Sequence, residues 1–216
     1  MNYLQLRKDM ITEQLIPRGI TEKRILEAFS SVPREEFVSG DLRPMAYSDS
    51  PLPAGNNQTI SQPYMVALMT QLILPKQNDK ILEVGTGSGY QAAILARLAK
   101  RVYSVERFSD LAEAARKRFK KMKIDNVEVI CGDGSLGLPA EAPFEGVVVT
   151  AAAPKVPKSL KNQLAEGGRL VIPVGQIHMQ SMLKVTRQGK EFIEDYYDNC
   201  VFVPLVGKEG WTSTNE

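Results

Sequence analysis

Lys80-Ile-Leu-Glu-Val-Gly-Thr-Gly-Ser-Gly-Tyr90 is a short apolar run that ends in three alternating glycines, Gly85, Gly87 and Gly89. Gln91-Ala-Ala-Ile-Leu-Ala-Arg-Leu98, of helix-compatible composition, follows at once. The pattern predicts a strand, a tight turn and a helix. Glycine permits positive φ and lets a ligand approach bare backbone. The amides that open the helix point at whatever sits above the strand end. A small polar ligand is expected there.

Dinucleotide-binding turns carry G-x-G-x-x-G. Here the spacing is G-x-G-x-G, and Glu83 stands two residues before the first glycine. A carboxylate at that point repels a pyrophosphate. It suits a ligand with a positive end, so S-adenosylmethionine, a sulfonium with an ammonium and no phosphate, fits better than NAD. Two further acids agree. The run Arg101–Val105 ends in Glu106, placed to accept hydrogen bonds from both ribose hydroxyls. The run Val127–Cys131 ends in Gly132-Asp-Gly134, where Asp133 could accept from the adenine amino group. A turn aspartate between glycines is common by itself. Three acids ending three consecutive strands all fall on the carboxyl edge of a parallel sheet, where ligands bind in such folds.

The 216 residues can bury a full core. A net charge of +2 gives no global pull towards nucleic acid or membrane. No run reaches transmembrane length and the charged N-terminus lacks a secretory core, so cytoplasmic residence is the expectation. Cys131 and Cys200 are no disulfide framework. The single histidine, His178, is expected in a loop between strands as a structural or solvated residue, without a nucleophile elbow. A His/Cys-rich zinc site is excluded, and no metal is expected.

Upstream, residues 4–16 predict a helix stopped by Pro17-Arg-Gly19. A second helix follows, capped by Thr21 with Ile20 on Ile25 as a staple, and a third runs from near Ser61-Gln-Pro63 to Pro75. Residues 39–60 read as an ordered loop. Downstream, a basic helix over 109–122 reads as a solvated face. A strand over Gly146–Thr150 and a helix around 157–165, closed by Gly167-Gly168, come next. Then follow a strand over Arg169–Val174, a hairpin of 181–187 with 191–197, and a last strand over Cys200–Leu205. The fold class is α/β: a doubly wound, Rossmann-like methyltransferase fold, mostly parallel, with antiparallel C-terminal strands and an N-terminal helical extension. Residues 1–78 are expected to form that extension and part of the substrate site, 79–211 the donor-binding domain, and 212–216 a disordered tail.

The chain resembles the protein-L-isoaspartate O-methyltransferase family from about residue 5 to Trp211. The resemblance rests on Val32-Pro-Arg34, Gln58-Thr-Ile-Ser-Gln-Pro-Tyr-Met65, the glycine motif, Gly132-Asp-Gly134, Thr150-Ala-Ala-Ala153 and Gly167–Gly175. It implies methyl transfer from S-adenosylmethionine to the α-carboxylate of L-isoaspartyl residues in damaged proteins and peptides. The ester then closes to a succinimide that hydrolyses partly to normal aspartate. It also implies Ser61 as the active-site serine. Donor contacts fall on Gln58, Thr59, Ile60, Glu83, Gly85, Gly87, Gly89, Glu106, Asp133 and Gly134, with S-adenosylhomocysteine as the product. A monomer without nucleic-acid or membrane partners is expected. From the residues alone, Ser61 reads first as a cap for the helix starting near Pro63, and it is the resemblance that gives it the active-site role. The alternative activity is methyl transfer to RNA or a small molecule.

Overall fold

In the computed structural model, which describes residues 1–212, the N-terminal segment forms helix α1 (Tyr3–Asp9). A wider π segment over Met10–Leu15 and a 3-10 turn over Ile16–Arg18 follow, closed by Gly19 at φ 84°. The stop falls where expected, but the segment is not one continuous α-helix. Met10 and Leu15 are both fully buried, and a spacing of five residues is one turn of π rather than α geometry. Of the expected tail, residues 213–216 lie outside the described residues.

Helix α2 (Lys23–Ser31) buries Ile25, Ala28 and Phe29. Thr21 does not cap it. The amides of Thr21 and Glu22 are instead bound by Gln71 Oε1, at 3.0 and 3.4 Å. Residues 39–60 are more regular than a loop: they contain a hairpin, β1 (Leu52–Gly55) and β2 (Gln58–Ile60). Its central residues Asn56 and Asn57 have φ of 49° and 55°, the left-handed pair that a type I′ turn demands. Asn-Asn signals that turn less clearly than Asn-Gly, and the sequence reading passed over it. Helix α3 (Pro63–Ile73) starts after Gln62, and no side chain of its own segment caps it. Asp49 Oδ1 accepts the Tyr64 amide at 3.2 Å instead, so Ser61 is not the cap.

The central layer runs β3 (Lys80–Val84), α4 (Tyr90–Ala96), β4 (Arg101–Glu106), α5 (Ser109–Lys121), β5 (Val127–Cys131), β6 (Phe144–Val149), α6 (Lys158–Asn162), β7 (Leu164–Gln176), β8 (Met179–Gln188) and β9 (Glu191–Cys200). The strands lie in the order β5-β4-β3-β6-β7-β8-β9; β3 to β7 are parallel, and β8 and β9 antiparallel. Ile81, Val148 and Val171 join the core beneath the N-terminal helices, whereas Leu82, Val147 and Leu170 face the α6 side. Alternate residues thus feed two faces, the period-2 rule for a strand covered on both sides.

Two C-terminal expectations need correction. The helix around 157–165 ends at Asn162, and Gly167-Gly168 lie within β7, where its pairing with β6 shifts between Phe144 and Gly146. Residues 201–205 form no sheet strand. That segment crosses the carboxyl edge, pinned by Ala152: its amide donates to Val203 O and its carbonyl accepts from Leu205 N, both at 2.7 Å. Trp211 Nε1 adds a bond to the same carbonyl at 3.1 Å. His178 sits exposed in the β7–β8 turn. On α5, Arg116 and Arg118 are tied to backbone carbonyls and Lys117 and Lys121 to Glu113 and Glu36.

Candidate active site

Strand order reverses between β3 and β6, and the carboxyl ends of these strands diverge there to leave a crevice. The glycine turn forms its floor. Gly85, Gly87 and Gly89 take φ of 96°, 50° and 87°. The Gly85 amide donates to Val105 O at 2.8 Å, and Thr150 Oγ1 donates to Gly85 O at 2.7 Å. A Cβ at Gly85 would collide with that Thr150 hydroxyl, so the close approach of β3 and β6 requires glycine here. Glu106 fastens the turn from the next strand: Oε2 accepts the Gly87 amide at 2.8 Å and Oε1 the Phe108 amide at 3.0 Å. A carboxylate oxygen has two acceptor directions, so one on each oxygen remains.

The resulting cleft is a partly open groove with both polar and apolar lining residues. Gln58, Thr59, Ile60 and Ser61 form one wall; Gly85, Gly87, Glu106 and Gly134 also line it. The structure thus brings eight of the predicted site residues together. Gly89, Glu83 and Asp133 stand apart from the lining. Gly89 opens α4 and packs against Phe119. Asp133 is engaged by its own turn and a distant loop. Its Oδ1 accepts Ser135 N at 2.9 Å and Ser135 Oγ at 2.6 Å, and its Oδ2 accepts Lys208 N at 2.9 Å. Burial works to raise its pKa, but these bonds outweigh that and hold it below the usual carboxylate range.

Glu83 is fully buried below the turn. Its Oε2 accepts the Ser104 hydroxyl, which is hydrogen-bonded in turn to Thr86 at the cleft surface. Its Oε1 has no hydrogen-bond partner. Burial pushes its pKa up to about 8; the Ser104 bond opposes this, and the neighbouring Glu106 charge adds to it. At neutral pH Glu83 is therefore a neutral acid connected to the cleft through Thr86, rather than an anion on its wall.

Three features of the cleft were not read from the sequence. Thr150 directly follows β6 at the carboxyl edge; the rule that singled out Glu106 and Asp133 looked for acids there and so passed over a threonine. Val203–Val206 also line the cleft, whereas the sequence pattern read Cys200–Leu205 only as a last strand. Tyr90 and Gln91 also line the cleft, and Tyr90 Oη and Gln91 Oε1 are buried without a hydrogen bond of regular geometry. Buried polar atoms are rarely left unpaired in a finished structure; Tyr90 Oη faces the Arg34 guanidinium, and Gln91 Oε1 is the one that fits a polar ligand completing it. Among the described residues no group of three His, Cys, Asp or Glu is placed to hold a metal ion.

A doubly wound sheet with an antiparallel C-terminal pair, a G-x-G-x-G turn and an acid closing the second strand together define the methyltransferase class of Rossmann-like folds. The sequence profile of the family described as protein-L-isoaspartate (D-aspartate) O-methyltransferase matches residues 6–210. A protein-L-isoaspartate O-methyltransferase of Geobacter metallireducens is 51% identical over 212 residues, 98% of each chain. One from Trichlorobacter lovleyi is 50% identical over the same span. Among solved structures, a protein-L-isoaspartate O-methyltransferase superposes with a TM-score of 0.84 at 29% identity, covering 94% of this chain and 67% of that one. A Plasmodium falciparum structure described as of this family, in complex with S-adenosyl-L-homocysteine, superposes at 0.79 with 25% identity, covering 94% of this chain and 97% of that one. The chain belongs to the protein-L-isoaspartate (D-aspartate) O-methyltransferase family.

Proposed function

We propose that this protein transfers the methyl group of S-adenosylmethionine to the free α-carboxylate of L-isoaspartyl residues in damaged proteins and peptides, initiating repair through a succinimide. The observation that carries the reading is the meeting of Ser61 with the glycine turn and Glu106 in one cleft of a chain that matches this family over nearly its whole length. S-adenosylmethionine supplies an electrophilic methyl on a sulfonium. The chain supplies the place. Glu106 offers its remaining acceptor directions to the ribose hydroxyls, Gly85 and Gly87 let the ligand lie against backbone, and Gln58–Ile60 close over it. Gly134 and the Asp133 turn hold the adenine side.

The attacking group needs no base, because a carboxylate with a reference pKa near 4 is already ionised at pH 7. What remains is alignment of oxygen, carbon and sulfur and exclusion of water. Positioning of that kind can supply on the order of 7–11 kcal/mol. The Ser61 hydroxyl, free of any capping bond, holds the incoming carboxylate, and Ile60, Val66, Val203 and Leu205 give the cleft apolar walls. In this reading residues 1–78 contribute the serine side of the substrate site, and 79–211 the donor side. The protein acts as a monomer in the cytoplasm, without nucleic-acid or membrane partners; its exposed, unpaired Cys131 suits a reducing compartment. Methyl transfer from labelled donor to an isoaspartyl peptide, with its aspartyl isomer as control, tests the activity. Label on the isoaspartyl peptide alone supports it; equal labelling, or label only on RNA or a small molecule, overturns it.

A further inference from the structure

Arg34 is fully buried. Its Nη2 donates to the Ser61 carbonyl and its Nε to the Ala46 carbonyl, both at 2.7 Å. Its guanidinium lies 4.7 Å from the centroid of the Tyr90 ring. Nη1 makes no hydrogen bond of regular geometry, and neither does the Tyr90 hydroxyl, although the guanidinium and the hydroxyl attract each other. No carboxylate pairs with Arg34 among the described residues. Asp49 attracts it through space but is bound to Arg18 and the Tyr64 amide. Burial lowers its pKa, yet an arginine stays charged at any working pH. A buried cation without a counter-ion is costly and uncommon. Both Ser61 and Tyr90, the groups it touches on the cleft side, line the cleft.

We propose that Arg34 is a positioning residue for the substrate: it fixes the Ser61 backbone and holds an uncompensated positive charge behind the serine, so that the cleft selects an ionised carboxylate over neutral groups of the same shape. The inference rests on the isoaspartyl reading above. Its consequence is directional. The substrate carries a carboxylate and the product a neutral methyl ester, so the same charge that draws the substrate in favours release of the product. Tyr90 touches both sides of this arrangement: its ring lies against the guanidinium and the residue lines the cleft.

The test compares binding of an isoaspartyl peptide with that of its isoasparaginyl amide, a neutral isostere, in the presence of S-adenosylhomocysteine. Wild type is expected to prefer the carboxylate by about tenfold or more, as for a charge pair several ångströms apart in a partly buried site. Arg34→Met and Arg34→Gln should bring the ratio to within about threefold, while Arg34→Lys, which keeps the charge, should largely retain it. A purely structural role would weaken both peptides alike and leave the ratio unchanged, and that result overturns the inference. If neither neutral variant folds, the wild-type ratio decides: a preference under about threefold overturns it, and a tenfold one that Arg34→Lys preserves supports it. Wild type that labels no isoaspartyl peptide refutes the activity instead, so the two failures are distinguishable.

Discussion

Replacing Glu83 by glutamine should make the ligand-free protein relatively more stable as pH rises. Glu83 has a raised pKa of about 8 in the folded state against 4.5 as the ordinary value. Between those values the native state keeps a proton that the unfolded chain has released. The native state thus binds more protons than the unfolded one, and stability falls with rising pH. The contribution is fully present below pH 4.5 and is lost as pH rises to about 8. The slope is about 1.4 kcal/mol per pH unit within that window. From pH 5 to pH 8 wild type should lose about 3–4 kcal/mol through this one group. Glutamine mimics the protonated acid and can still accept the Ser104 hydroxyl, and it does not titrate. The difference in unfolding free energy between variant and wild type should therefore climb with that slope, whatever its constant offset. Urea unfolding at four pH values measures it, with the single tryptophan, Trp211, which is tied to Ala152, as reporter. A difference flat in pH would mean that Glu83 is ionised in the fold, and would refute the reasoning.

Three other outcomes follow from the same geometry. Ser61→Ala should lower turnover on an isoaspartyl peptide by at least about tenfold while donor affinity stays within about twofold, because its hydroxyl makes no cap that the fold needs; stopped-assay kinetics with donor titration separate the two, and unchanged turnover removes the serine from the mechanism. Glu106→Gln keeps the shape but can accept from only one of the Gly87 and Phe108 amides; donor binding by calorimetry should weaken by about 1–3 kcal/mol, and an unaltered affinity would place the ribose elsewhere. Asp133→Ala should release the segment around Lys208 and Glu209, read as faster amide exchange at residues 203–209; unchanged protection there contradicts its role as a tether.

Local patterns told much of this molecule in advance. Apolar runs closed by acids gave β3, β4 and β5, and the alternating glycines gave the turn, because each is encoded within a few adjacent residues. The hairpin over 181–197 was legible for the same reason. What escaped depends on partners far along the chain. Gln71 satisfies the amides just before α2 and Asp49 an amide in the first turn of α3, fixing the helix starts that the sequence assigned to Thr21 and Ser61. Residues 201–206 look like a strand by composition, yet they bridge to Ala152 across the sheet edge. Glu83 was legible as an acid at a strand end, but not as a neutral one, because its protonation follows from burial that only packing creates. Arg34 carried no chemical signal of its own, and its meaning appears only where Ser61 and Tyr90 come to meet it.

The most direct test of the account is a crystal structure with S-adenosylhomocysteine and an isoaspartyl peptide bound. It should show the ribose hydroxyls on Glu106, the sulfur directed towards the peptide carboxylate, and that carboxylate on the Ser61 hydroxyl. A sugar remote from Glu106, or a carboxylate seated away from Ser61, would contradict it.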